Sequence, residues 1–361
     1  MIATYFLYNS ILLLSSFFAY CGERVGNKRD EYLCRIMVFL ILWIPASFRS
    51  DIGTDYSSYQ SIYEHIDWYI DELEIGYVWL NQIFRSLSLG HEYMFSAVAA
   101  LTYAPICFGM PKKGYSVLII FYILTLYLVS YNLVRQSIAI SFSLYAAVQL
   151  LKGRNVLYFV IIIGAVMFHV SALLLLLFFF LKYIRFNIWV GILVTILGSF
   201  LIIKFDFISI IFGSDIFLST SYGRYATSSF NKETEMGSGL GVMVKCIIPF
   251  IILFFASKIE TSDLQSEKNK NGFLVGLSMA YIFAQVLSVQ IHIFNRLVDI
   301  VSFMIVLGIG IIYLIRWKYR KIILLFLSIL FLTLFEKNIS AGKSSEIGGL
   351  GISPYKSILN E

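Results

Sequence analysis

Charge is scarce in this sequence. Only 14% of its 361 residues are Asp, Glu, Lys or Arg and 59% are hydrophobic, against about 25% and about 45 to 50% in soluble domains. A soluble fold could not hide that excess of apolar side chains, so the bilayer is expected to be the solvent. Cysteine is sparse too. Cys21, Cys34, Cys107 and Cys246 fall in or beside apolar runs, which argues against a disulfide framework and a zinc cluster. The sequence lacks an Asp-x-Asp pair to hold a metal with a nucleotide sugar, a Pro- or Ser-rich linker and an internal repeat. One membrane-embedded domain over residues 1–361 is therefore expected, with no metal, no cofactor and no nucleic-acid partner. No basic residue precedes the first apolar run and no small-x-small site follows it, so the run is expected to stay as a helix and not to leave as a signal peptide.

What the sequence does have is apolar runs, at about 2–20, 33–48, 93–109, 115–131, 136–151, 155–168, 169–182, 187–203, 240–257, 272–290, 297–315 and 321–336. Most approach the length needed to cross a hydrocarbon core about 30 Å thick. The expected fold is an all-α polytopic membrane protein of about twelve transmembrane helices, some short or re-entrant. Basic clusters at Arg24 to Arg35, Lys112 and Lys113, Lys152 and Arg154, Lys182 and Arg185, Lys258 to Lys270, and Arg316 to Lys321 all lie inside only under two conditions. First, residues 75–89 must not cross. They are apolar at Gly76, Leu80, Ile83, Phe84 and Leu87 but polar at Asn81, Gln82, Arg85 and Ser88, a pattern suited to lying in the interface. Second, residues 156–181 must enter and return with His169 at the vertex; the alternative is one long tilted helix with His169 buried in its middle. Both termini then face outward, with long external loops at about 49–92 and 205–239.

From Ser47 to Tyr77 the first external segment is acidic, with Asp51, Asp55, Glu64, Asp67, Asp71, Glu72 and Glu74 against Arg49 alone, and it is rich in Tyr and Trp. Aromatic rings with hydroxyls and carboxylates suit a carbohydrate surface; the plain alternative is a solvated loop with interfacial aromatics. Arg49, Arg135, Arg224 and Arg296 stand at helix ends on the side where cations are disfavoured. One explanation serves all four: they converge on an anionic ligand, a lipid diphosphate, whose oxygens a guanidinium binds bidentately. The other is separate snorkelling or ion pairs, such as Arg296 with Asp299. Lys245, inside an apolar run, is either a counter-ion to the site or part of a structural pair. The glycines at 237–241 lack the strand that a nucleotide fingerprint needs, and Gly272 with Gly276 fits a helix-packing motif.

In order along the chain, FRSDIGTDYSSY (Phe48 to Tyr59), ELEIGY (Glu72 to Tyr77), VRQSIA (Val134 to Ala139) and MFHVSALL (Met167 to Leu174) resemble the EpsG-like branch of the Wzy-type polysaccharide polymerases. SYGRY, FNRLVD and the SPY at Ser353 to Tyr355 fit more loosely, and Ile75 stands where the family often has Pro. The resemblance implies polymerisation of undecaprenyl-diphosphate-linked repeats of O-antigen, capsule or exopolysaccharide at the periplasmic face of a bacterial inner membrane. Donor and acceptor would both be lipid-linked glycans, with membrane lipids and a chain-length regulator as further partners. On that basis Arg135, Arg296, Arg224 and Arg49 are expected to bind the diphosphate; His169, Asp55 and Glu74 are candidates to accept or orient the hydroxyl proton; Tyr56, Tyr59, Tyr77 and Gln136 are candidates to bind sugar. A transferase or ligase adding one lipid-linked sugar would share this site. A transporter or flippase would need charged groups through the midplane, whereas the unpaired polar residues gather near one face.

Overall fold

Without water to hydrogen-bond the backbone, a segment in lipid must satisfy its own N–H and C=O groups, and helix does so residue by residue. The computed structural model describes residues 1–184, 187–205, 240–259, 270–290, 294–315, 317–341 and 349–360. Each expected apolar run falls on helix where it is described, and the protein is an all-α polytopic membrane protein. Among the described residues, five helices are long and apolar enough to cross a membrane: Ile2–Arg24, Val134–Leu151, Gly272–Val289, Asn295–Leu314 and Arg320–Ser340. Other apolar helices are shorter, among them Asn155–Val166 and Trp189–Lys204.

The described residues group into two compact units, Met1–Ala172 with Ile309–Glu361, and Leu173–Gly308. In the first, α1 (Ile2–Arg24) packs on α2 (Lys28–Ser47), which packs on α5 (His91–Gly109); between them in sequence lie the short α3 (Tyr56–Glu64) and α4 (Ile75–Ser86). Next come α6 (Tyr115–Tyr122), α7 (Val134–Leu151) and α8 (Asn155–Val166). Buried Ser137, Ala139, Ser141, Ser143, Ala146 and Ala147 let α7 approach α5 and α8 closely. After α6 the chain widens into a π turn over Ile123–Tyr127 and tightens into a 3-10 turn over Val129–Tyr131, where the sequence suggests only a plain crossing. Thr125 and Ser130 hydroxyls donate back to the carbonyls of Phe121 and Tyr127 (2.6 Å each), an interaction that bends helices.

Charge sorts to the two ends of this unit. At one end Arg35 is buried between Glu31 (3.0 Å), the Cys107 carbonyl (2.8 Å) and the ring of Tyr115. Lys112 reaches the Val25 carbonyl and lies 3.4 Å from Glu31, while Glu23 accepts the N–H groups of Gly114 (2.8 Å) and Ser116 (3.1 Å). The basic clusters at 24–35 and 112–113 therefore share one end. The other end gathers the start of α1, the loop after α2, the turn before α7 and the C-terminal segment.

That segment closes over the first loop. Ser50 donates to the Lys356 carbonyl (3.1 Å), Gly53 to Gly351 (3.0 Å) and Ile358 to Phe48 (3.0 Å), with an antiparallel bridge between Arg49 and Ser357. Tyr355 donates twice, its N–H to the Thr4 hydroxyl (3.0 Å) and its own hydroxyl to the Pro45 carbonyl (2.8 Å). Gly53 has φ +100, and a Cβ there would stand 2.7 Å from both Asn132 Oδ1 and the Tyr131 carbonyl. Gly53→Val is therefore expected to displace the loop and cut activity at least as much as any single loop side-chain deletion, checked by glycan gels alongside membrane-fraction immunoblots.

The second unit holds α9 (Leu174–Leu181), α10 (Ile188–Lys204), α11 (Leu240–Ile259), α12 (Lys270–Gln290) and α13 (Asn295–Val301), with α14 (Phe303–Leu314) beginning in it. Gly272 and Gly276 on α12 lie directly against the backbone and side chain of Leu181, so this small-residue pair packs within the chain. Asp299 is close enough to Lys245 and Arg296 to feel both charges, which fits the ion-pair alternative for Arg296. The last helix, α15 (Arg320–Ser340), belongs to the first unit.

Candidate active site

The residues 156–181 break where a vertex is expected. The helix α8 stops at Val166, the chain turns through Met167 to His169, and a 3-10 turn over Val170–Leu173 follows. Onto this break docks the N-terminus of α4. The Gly76 N–H donates to the Met167 carbonyl (2.8 Å), and a Cβ on Gly76 would lie 2.7 Å from that same oxygen, so only glycine permits the approach. Gly76→Ala should push α4 off the break by a few tenths of an ångström or more. We expect a ten-fold or greater loss of activity, on the order seen when catalytic geometry is misplaced, with unchanged protein in the membrane.

Glu74, at the N-cap of α4, lies where three structural pieces meet. One carboxylate oxygen accepts the Val170 N–H (3.3 Å), beside His169. The other pairs with the Arg135 guanidinium. Arg135 sits in the first turn of α7, where the helix dipole is positive and disfavors a cation; the carboxylate offsets that. The position is favourable for an anion: two helix N-termini, the Val170 N–H that Glu74 accepts and a guanidinium. Arg135 also faces Tyr59, its Nε 3.5 Å from the hydroxyl, and the Tyr77 ring at 5.8 Å. Its side chain and that of Glu74 keep 18% and 17% exposure, enough to be reached from one side.

His169 is buried, and its Nδ1 accepts the Ser171 N–H (3.3 Å) with the Ser171 hydroxyl at 2.7 Å. Tyr77 is fully buried, donates to Met94 Sδ (3.7 Å), and burial pushes its phenol far above the ordinary value; it is a neutral hydroxyl at physiological pH and not a base. Tyr56 is also buried, stacked on Phe95 at 4.6 Å, and Gln136 is buried beside Arg135. Of the aromatic candidates, Tyr59 alone is partly open. Asp55 is exposed and accepts from the Thr54 hydroxyl (3.1 Å), while the Thr54 N–H donates to Asn132 (2.9 Å), three residues before Arg135.

Arg49 is near enough to Tyr77 for its charge to act on that phenol. The residue is 5% exposed, and its guanidinium donates to the Tyr131 carbonyl (3.1 Å) and lies over the rings of Tyr131 (4.6 Å) and Phe95 (5.2 Å). It ties the first loop to the turn before α7. Arg224 lies outside the described residues, as does residues 206–239 of the second expected loop; Arg296 belongs to the second unit. Asn132, Ser171 and the C-terminal carbonyls were not expected from sequence; only the SPY segment hinted at the last of these.

So ELEIGY, VRQSIA and MFHVS meet at one carboxylate. A family model described as the EpsG family matches residues 32–357. The chain belongs to the EpsG family. No curated protein and no solved structure matches it. The EpsG match begins inside α2 and runs through the C-terminal segment, so the Arg135–Glu74 pair, the break at His169 and the residues that clasp the first loop all lie within it. Membership of the EpsG family points to polysaccharide polymerisation by a glycosyltransferase-like multi-pass membrane protein.

Proposed function

We propose that this EpsG-family protein polymerises undecaprenyl-diphosphate-linked oligosaccharide repeats by glycosyl transfer at the periplasmic face of a bacterial inner membrane. The observation that carries the reading is the pairing of Arg135 with Glu74 at a point ringed by helix N-termini. The basic clusters at 24–35 and 112–113 gather at the opposite end of the unit, which supports an external site by the positive-inside rule.

In this reading the donor diphosphate takes Arg135, and the carboxylate it displaces becomes the proton acceptor. The acceptor sugar's hydroxyl oxygen bonds to the donor's anomeric carbon as the bond from that carbon to the phosphate oxygen breaks. The hydroxyl proton passes to Glu74, and the lipid diphosphate leaves with its new charge on Arg135. Tyr59 hydrogen-bonds the incoming sugar or phosphate. His169 orients the break through Ser171. The diphosphate is held by Arg135. Asp55, Tyr56, Tyr77 and Gln136 shape the surrounding wall. A chain-length regulator in the same membrane would set how many cycles occur.

Deletion in the native strain followed by glycan gels tests the reading. Acceptor carrying one repeat supports a polymerase; loss of even the first repeat would point to a single-addition transferase. Reporter fusions after residues 62 and 169 are expected to signal the outer side.

A further inference from the structure

The helix that carries Glu74 has two apolar sides. On one, Tyr77 and Val78 are buried, and Leu80 and Phe84 pack on a core of Tyr63, Met94, Phe95 and Val98. Asn81 is on this side too, fully buried, donating to the Tyr77 carbonyl (2.6 Å), although its polarity suggests a solvent face. On the other side Ile75, Trp79, Ile83 and Leu87 recur every fourth residue and are 53%, 51%, 55% and 62% exposed. That spacing makes one stripe along a helix, about 18 Å long at about 1.5 Å per residue.

The stripe begins at the residue after Glu74, so an apolar track starts beside the ion pair and runs away from it. An apolar face on a short helix of an external segment lies at the boundary of head groups and acyl chains, the depth at which a lipid diphosphate passes from phosphate to tail. We propose that this stripe receives the polyisoprenoid chain of the lipid whose diphosphate Arg135 holds. The proposal rests on the function proposed above. It makes α4 a two-part reader, with its N-cap at the head group and its outer face along the first isoprene units. Polymer and repeat change length and sugar; the lipid does not, and a fixed track would hold either carrier in the same register.

The test uses the purified full chain in phosphatidylethanolamine/phosphatidylglycerol nanodiscs and two probes, undecaprenyl diphosphate and the one-isoprene dimethylallyl diphosphate. In the native protein the long chain is expected to bind about ten-fold or more tightly than the short one. Trp79→Gln with Ile83→Gln should bring that ratio close to its value in empty nanodiscs while dimethylallyl diphosphate binding is unchanged. Trp79→Phe with Ile83→Leu should restore the ratio, which guards against a folding defect. A ratio unchanged by the Gln pair would overturn the track and leave the stripe facing bilayer lipid alone. Arg135→Ala is expected to weaken both probes alike; if it weakens neither, the head-group reading fails, whereas the track is still judged by the ratio.

Discussion

Arg135→Ala is expected to leave the protein in the membrane and to lower chain elongation by about 10²- to 10³-fold, the range for removing a preorganised charge from a reacting centre. Gels should then show acceptor with a single repeat in place of a ladder. Two terms add. The leaving diphosphate loses the cation that stabilises its charge, and Glu74 is left in a partly buried site with the Val170 N–H as its remaining described hydrogen-bond donor. Glu74→Gln separates the terms: Arg135 keeps a polar neighbour and the diphosphate meets less competition, so binding should hold or tighten while turnover falls. Arg135→Lys is expected to recover little, because an ammonium cannot span two phosphate oxygens as the guanidinium fork does.

Truncation before Gly349 is expected to be nearly as damaging, although it removes no candidate for chemistry. Without the segment, the N–H groups of Ser50 and Gly53 lose their partners and the Thr4 and Pro45 acceptors lose Tyr355. Each net hydrogen bond is worth about 1 kcal/mol, and they hold the loop that inserts Arg49 beneath Tyr131 and hangs Thr54 on Asn132. The turn so fixed leads directly into Arg135. The ion pair of Lys356 with Asp51, 3.7 Å apart and half exposed, adds little, so Lys356→Ala should be close to silent. Glycan gels with immunoblots of the membrane fraction check both variants.

The helices were legible in the sequence because lipid leaves the backbone few alternatives, and the turn at His169 because 26 apolar residues between basic ends fit an entry and return. The break between Val166 and Val170 falls at that place. The candidate site was legible in its parts: Glu74, Arg135 and His169 were each singled out, but the pairing of two of them, 61 residues apart, was not. Charge and residue type report that a group needs a partner, not which one. Arg49 shows the same limit, since nothing in its sequence position distinguishes a guanidinium aimed at ligand from one folded under a tyrosine. Asn81 and the exposed Ile83 and Leu87 exchange the sides of α4 that polarity assigns them, because packing of Tyr77 and Phe84 sets the helix rotation. The C-terminal clasp is held largely by backbone groups, which leave no residue-type trace at all.

An ion pair that only braces the fold can be inverted; one that does chemistry cannot. The double variant Glu74→Arg with Arg135→Glu, expressed in the deletion strain, keeps both charges and their attraction but puts each on the wrong helix for diphosphate and hydroxyl. The expected gel shows protein at native level in the membrane and acceptor stopped at one repeat, as in either single variant. A ladder of normal lengths from the inverted pair would contradict the account, because it would mean that the pair braces α4 and the reaction takes place elsewhere.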